Sequence, residues 1–232
     1  MNYNELLFLI EERYIVSEKN LELNLDKWGA GYPLFITGTS GDGKSTLAKN
    51  LGKQYGAEVV STDVLLTRVT YDEEKWNQKM NSSSFRESVF HNCQLGVDFI
   101  NEHPDLPRAS WKVGGTWSDS SIYEPYFQLF FDWIFEQSRN NPKYNNKRII
   151  VEGCDICLMD PNIAAQLPLI VIGCSRLQSS WRRIKRDVTV DNHSFIDSVF
   201  REIRRSRGYI KELNRSKDLF KKRILKAYKN RI

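Results

Sequence analysis

Residues 38–45 read Gly38-Thr39-Ser40-Gly41-Asp42-Gly43-Lys44-Ser45, the spacing G-x-x-x-x-G-K-[ST]. Glycines at these intervals let the backbone curl until successive N–H groups point inward. A helix beginning at the same place adds about half a positive charge at its N-terminus, and the two together form an anion cradle. A triphosphate fits such a cradle. Lys44 would bring a mobile cation to the β- and γ-phosphates, and the Ser45 hydroxyl would be a ligand of Mg²⁺. Thr39, Ser40 and Thr46 complete the set of nucleotide-binding positions. Asp42 is unusual, because it sets a carboxylate beside the polyphosphate, and its side chain is expected to point outward.

The motif carries weight only if a strand leads into it and a helix leads out. Leu34-Phe35-Ile36-Thr37 has the length and residue types of a buried strand. From Lys44 to Tyr55, Leu47, Ala48 and Leu51 fall on one helical face, and Gly56 stands where a helix stop belongs. Ala57 to Ser61 reads as a second strand. Arg148 to Glu152 and Leu169 to Ile172 read as two more. Between residues 64 and 146 there is no comparable strand. Phe85, Val89, Cys93, Val97 and Ile100 recur at helical spacing, and residues 120–138 form another apolar-faced helix. Residues 4–16 are compatible with a helix, and the alternation of Leu21, Leu23 and Leu25 is too short to assign. Strands alternating with helices imply a parallel sheet with right-handed crossovers, which binds ligands at the carboxyl ends of its strands.

The remaining chemistry-bearing residues cluster after strand ends. Ser61-Thr62-Asp63 puts an acid at the tip of the strand beside the phosphate loop. There it can take a proton from an acceptor hydroxyl or hold a water on Mg²⁺, or else cap the next helix. Ile149-Ile150-Val151-Glu152-Gly153 is an apolar strand ending in an acid. Ser180-Trp181-Arg182-Arg183-Ile184-Lys185-Arg186-Asp187 places Arg182 and Arg186 four residues apart on one helical face. The guanine-reading N-K-x-D is absent, since Asn146-Lys147-Arg148 lacks the Asp, and so is the L-S-G-G-Q of transporter ATPases.

From residue 34 to about 208 the chain resembles the nucleoside and nucleotide kinase branch of phosphate-loop proteins, in particular the uridine kinase and phosphoribulokinase-like enzymes. The resemblance implies a P-loop NTPase fold, three-layer α/β/α, with a mostly parallel sheet of four or five strands and a helical insertion. The whole of 1–232 forms one kinase-like domain: residues 64–146 are the helical substrate region, 176–208 an arginine-rich lid and 209–232 a basic C-terminal helix. Because those kinases carry a fifth strand after the lid and residues 194–232 show only a basic helical pattern, the sheet could stop at four. The resemblance further implies ATP and Mg²⁺ as cofactors, Asp63 as base, Glu152 as an orienter of metal water, and Arg182 and Arg186 closing over ATP. Arg183 could stack on adenine. The acceptor would lie in the insertion, where Trp111 and Trp117 could stack on it and Arg68 could bind its phosphate.

At roughly 150 residues per domain, 232 residues suit one domain with a large insertion. Hydrophobic residues at 41% exclude a disordered or collagen-like chain. No apolar run approaches the roughly 18 residues that cross a bilayer, so neither a membrane partner nor a leader is expected. Four cysteines are too few for a disulfide framework and suit the cytoplasm. Cys154-Asp155-Ile156-Cys157 lacks a second pair at zinc spacing and reads as ordinary thiols. Charge is uneven: residues 176–232 hold 18 Lys and Arg against six Asp and Glu. Such a segment repels itself unless it meets the phosphates of a nucleotide, a nucleic acid, or the acidic remainder of the protein. The leading function is therefore a small-molecule kinase. A polynucleotide 5′-hydroxyl or zeta-toxin-like kinase and an ATP-binding regulatory module with a protein partner are the alternatives.

Overall fold

The computed structural model describes residues 21–29, 31–62, 94–103, 120–173, 176–189 and 192–230, with isolated positions between 74 and 82. Five strands form one sheet: β1 (Leu21–Leu23), β2 (Leu34–Thr37), β3 (Glu58–Ser61), β4 (Ile149–Glu152) and β5 (Leu169–Val171). Their order is β1-β5-β2-β4-β3, and every pairing is parallel except β1 with β5.

The sheet is covered on both sides, which is why its central strands β2, β4 and β5 are largely apolar and buried throughout. Alternation sorts the side chains between two cores. Leu34, Ile36, Ile150 and Ile170 meet Leu47, Ala48 and Leu51 of helix α1 (Lys44–Tyr55) on one face. Phe35, Ile149, Val151, Leu169 and Val171 belong to the other core. There α2 (Gln94–Glu102) supplies Leu95 and Phe99, and α3 (Ser120–Asn140) supplies Phe130, Phe131 and Ile134. Phe35 and Phe131 meet edge to face at 5.8 Å.

After the short α4 (Pro161–Ala164) and β5 the chain is helical: α5 (Arg176–Thr189), α6 (Phe195–Arg207) and α7 (Tyr209–Lys229). α7 is built into the fold. Phe220 and Ile224 are buried in the second core, so the basic C-terminal segment is apolar on one side and anchored there.

The sheet has five strands, the larger of the two numbers expected, and its fifth does not come from the segment after the lid, where the similar kinases carry theirs. Residues 195–229 form helices, and the edge beside β5 is taken from the other end of the chain by Leu21–Leu23. Asn24, in a left-handed turn at φ 50°, fixes that edge by donating its amide to the carbonyls of Ala165 and Leu167 at 2.9 and 3.1 Å. The helices expected over 4–16 and from Phe85 to Cys93 lie outside the described residues.

Candidate active site

The phosphate loop joins β2 to α1 at the carboxyl edge of the sheet. Gly41 and Gly43 have φ of 86° and 99°, values that L side chains rarely adopt, and this is what the glycines of the motif are for. Gly43 caps α1, and the first turn of that helix carries no acid. No acid within that turn offsets its positive end. Lys44 and Ser45 are half-buried in that turn, and Thr46 is exposed.

Asp42 does not point outward. It is 4% exposed, and its Oδ2 accepts the Thr39 N–H at 2.8 Å and a hydrogen bond from Lys217 Nζ at 2.9 Å. An exposed carboxylate would repel a polyphosphate. Folded back inside the loop it accepts from Thr39 and meets a cation from α7. The Thr39 hydroxyl oxygen beside it is buried with no hydrogen-bond partner among the described residues.

α5 lies against the same loop. Arg182 Nη1 donates to the carbonyls of Gly41 and Asp42 at 3.3 and 3.2 Å. Arg183 is 2% exposed and holds Glu202 of α6 through two bonds, Nε to Oε2 at 2.8 Å and Nη2 to Oε1 at 2.5 Å. Its Nη1 donates to the Ser40 carbonyl. The adenine-stacking role expected of Arg183 is corrected by this burial, since its guanidinium cannot reach a base without abandoning Glu202. Burial works against ionised Glu202, but the bonds from Arg183, Ser180 and Ser206 outweigh it and hold its pKa below the usual range. Arg186 is exposed one turn beyond Arg182.

Glu152 ends β4, the strand directly beside β2, in register with Ile36 and Ser61. The acid-tipped strand next to the phosphate loop is thus the one carrying Glu152. Strand β3, which leads to Asp63, stands one place further out, contrary to the expectation for it. Gly153 follows, donating its N–H to the Ile36 carbonyl at 3.1 Å. A Cβ at Gly153 would fall 1.8 Å from Thr62 Oγ1, so only glycine lets the ends of β3 and β4 approach this closely. Thr62 Oγ1 donates to the buried Asp155 at 3.0 Å. Cys154 and Cys157 are free thiols, and Cys157 Sγ lies 3.3 Å from Thr37 Oγ1 at the base of the loop. Burial pushes the Cys157 thiol up to about 11, while the nearby ammonium groups of Lys217 and Lys44 act in the opposite direction.

Lys44 and Ser45 open α1 at this edge, Arg182 bonds the loop's carbonyls, and Glu152 ends the strand beside β2. Asp63, Arg68, Trp111 and Trp117 lie outside the described residues. Ser45 and the buried Glu152 are hard oxygen donors on adjacent elements, the chemistry Mg²⁺ prefers, so the residues present fit that ion. No group of three or more His, Cys, Asp or Glu suited to another metal occurs among the described residues. Sequence reasoning missed Lys217, Glu202 and Asp155. The one available signal was Asp42 itself, since a carboxylate in an anion cradle demands a compensating cation.

A phosphate loop between a central parallel strand and its helix, with helices on both faces of a mostly parallel five-stranded sheet, defines the P-loop NTPase fold. A family model described as an AAA domain matches residues 34–97, from the loop's leading strand into α2. No curated protein matches the chain. No helix among the described residues is long and apolar enough to cross a membrane.

Proposed function

We propose that the protein is an ATP- and Mg²⁺-dependent phosphotransferase that moves the γ-phosphoryl group to a hydroxyl or phosphate of a small molecule, a nucleoside being the leading class. The observation that carries this reading is the seating of the arginine helix on the phosphate loop, with Arg182 bonded to the Gly41 and Asp42 carbonyls. Phosphoryl transfer needs little covalent help from a protein. It needs the triphosphate positioned and its developing charge met by cations. Lys44 reaches the phosphates from the loop side. Arg182 and Arg186 approach from α5, and a short side-chain movement takes Arg182 from carbonyl oxygens to phosphate oxygens. Ser45 and Glu152 would hold Mg²⁺, which would supply positive charge against the polyphosphate. Asp63 takes the acceptor's proton, and residues 64–146 hold the acceptor.

The test is incubation with γ-labelled ATP, Mg²⁺ and pooled nucleosides, nucleotides, sugars and short DNA and RNA oligomers. Label appears on one acceptor class, and Lys44→Ala and Asp63→Asn each reduce transfer at least about 100-fold. ATP binding with no transfer to any pool rejects the kinase reading in favour of a regulatory module. Label on oligomers alone replaces the small molecule with a polynucleotide end.

A further inference from the structure

Asp42 poses a problem for any polyphosphate site, and α7 supplies the answer. The carboxylate is inside the loop at 4% exposure. Lys217, whose side chain is 10% exposed, donates to Asp42 Oδ2 at 2.9 Å from 175 residues further along the chain. α7 is held rigidly for this task, because Phe220, one turn on from Lys217, and Ile224, a turn beyond, are buried in the core. The same Oδ2 accepts the Thr39 N–H, so the carboxylate that Lys217 neutralises also fixes the loop's own turn. Cys157, whose Sγ lies 3.3 Å from Thr37 Oγ1 at the carboxyl end of β2, feels the positive charge of both Lys217 and Lys44.

We infer that Lys217 is a positioning residue of the phosphate site: it cancels the charge of Asp42 and holds that carboxylate away from the polyphosphate, which makes α7 a required part of the nucleotide cradle. The inference rests on the reading of the loop as a nucleotide site. It does not need phosphoryl transfer. An unneutralised carboxylate within the loop repels each added phosphate, so the effect of losing Lys217 grows from nucleoside to triphosphate. Removing the Asp42 charge while keeping its shape has the opposite effect, since Lys217 then adds to the positive potential of the cradle.

Titration calorimetry on the full chain with adenosine, ADP and ATP, beside thermal unfolding, tests this. Lys217→Met weakens ATP at least about tenfold, weakens ADP less and leaves adenosine within about twofold. Lys217→Arg restores most of the affinity. Asp42→Asn tightens ATP about threefold or more, and Asp42→Asn/Lys217→Met returns to within about threefold of wild type. A merely structural strut would give no tightening in Asp42→Asn and no dependence on phosphate number. If Lys217→Met fails to fold, Asp42→Asn alone decides: unchanged or weaker ATP binding overturns the inference. So does wild-type affinity in a folded Lys217→Met. ATP binding with these shifts but no phosphoryl transfer removes the kinase reading and leaves this one standing, whereas a wild-type protein that binds no nucleotide rejects both.

Discussion

Gly153 shows how much one side chain can be constrained by its neighbours. Its missing Cβ leaves room for Thr62 Oγ1, which in turn bonds Asp155. Gly153→Ala forces a heavy atom into a 1.8 Å gap and must push β3 and β4 apart at their ligand-facing ends. We expect about 3 kcal/mol of destabilisation, read as a lowered denaturant midpoint, together with loss of nucleotide affinity. At this scale the sequence was legible where chemistry is local. Gly41, Gly43, Lys44 and Ser45 are contiguous, and their spacing alone dictates a cradle. Asp42 was misread because its partner, Lys217, is one of many cations in a helical stretch, and no local pattern marks which of them turns inward. Arg183 was misread for a related reason: a run of cations at 182–186 does not say which member is buried against an acid on the next helix.

Helices α5 and α6 are joined by two ion pairs, Arg183 with Glu202 and Arg205 with Asp187 at 2.8 Å. The first is buried at both ends, and breaking such a pair leaves a charge without a partner. Glu202→Gln should lower stability at pH 7 by about 3 kcal/mol in a denaturant titration. Because the folded-state pKa of Glu202 is depressed, its contribution is present above the unfolded value of about 4.3 and disappears as pH falls through the lower folded value. Wild type therefore loses stability below about pH 4, and the variant loses less over the same interval. Asp98 adds to the same acid-side loss: burial raises its pKa, but Lys143 and Tyr144 lower it further. Arg182 behaves differently, being exposed and donating to the loop carbonyls of Gly41 and Asp42. Arg182→Ala should raise the KM for ATP about tenfold with Tm unchanged, and a matching fall in Tm would assign it to the scaffold instead. Elements with strong periodicity were readable in advance, α1 nearly to the residue. β1 was not, since three residues of alternation become a strand only because β5 offers an edge to pair with.

Across the whole molecule, the basic C-terminal quarter is partly answered by acids within the fold. Lys217 meets Asp42 in the acidic remainder, while Arg183 and Arg205 meet Glu202 and Asp187 within the segment itself. Of the three destinations open to that charge from composition alone, an internal one is thus occupied. Composition could not choose among them, because the choice depends on which face of α7 packs inward, and that is set by Phe220 and Ile224. The Asp42 and Lys217 pair also has a consequence in time. A ribosome that has just made the loop must add 175 more residues before the lysine exists. At 5–20 residues per second that is roughly 9–35 seconds. During this interval the sheet and α1 can form, but the loop still carries an uncompensated carboxylate. A nascent chain would therefore hold a loop of nearly finished shape with the wrong local charge, and competence to grip a triphosphate would arrive only once α7 has emerged.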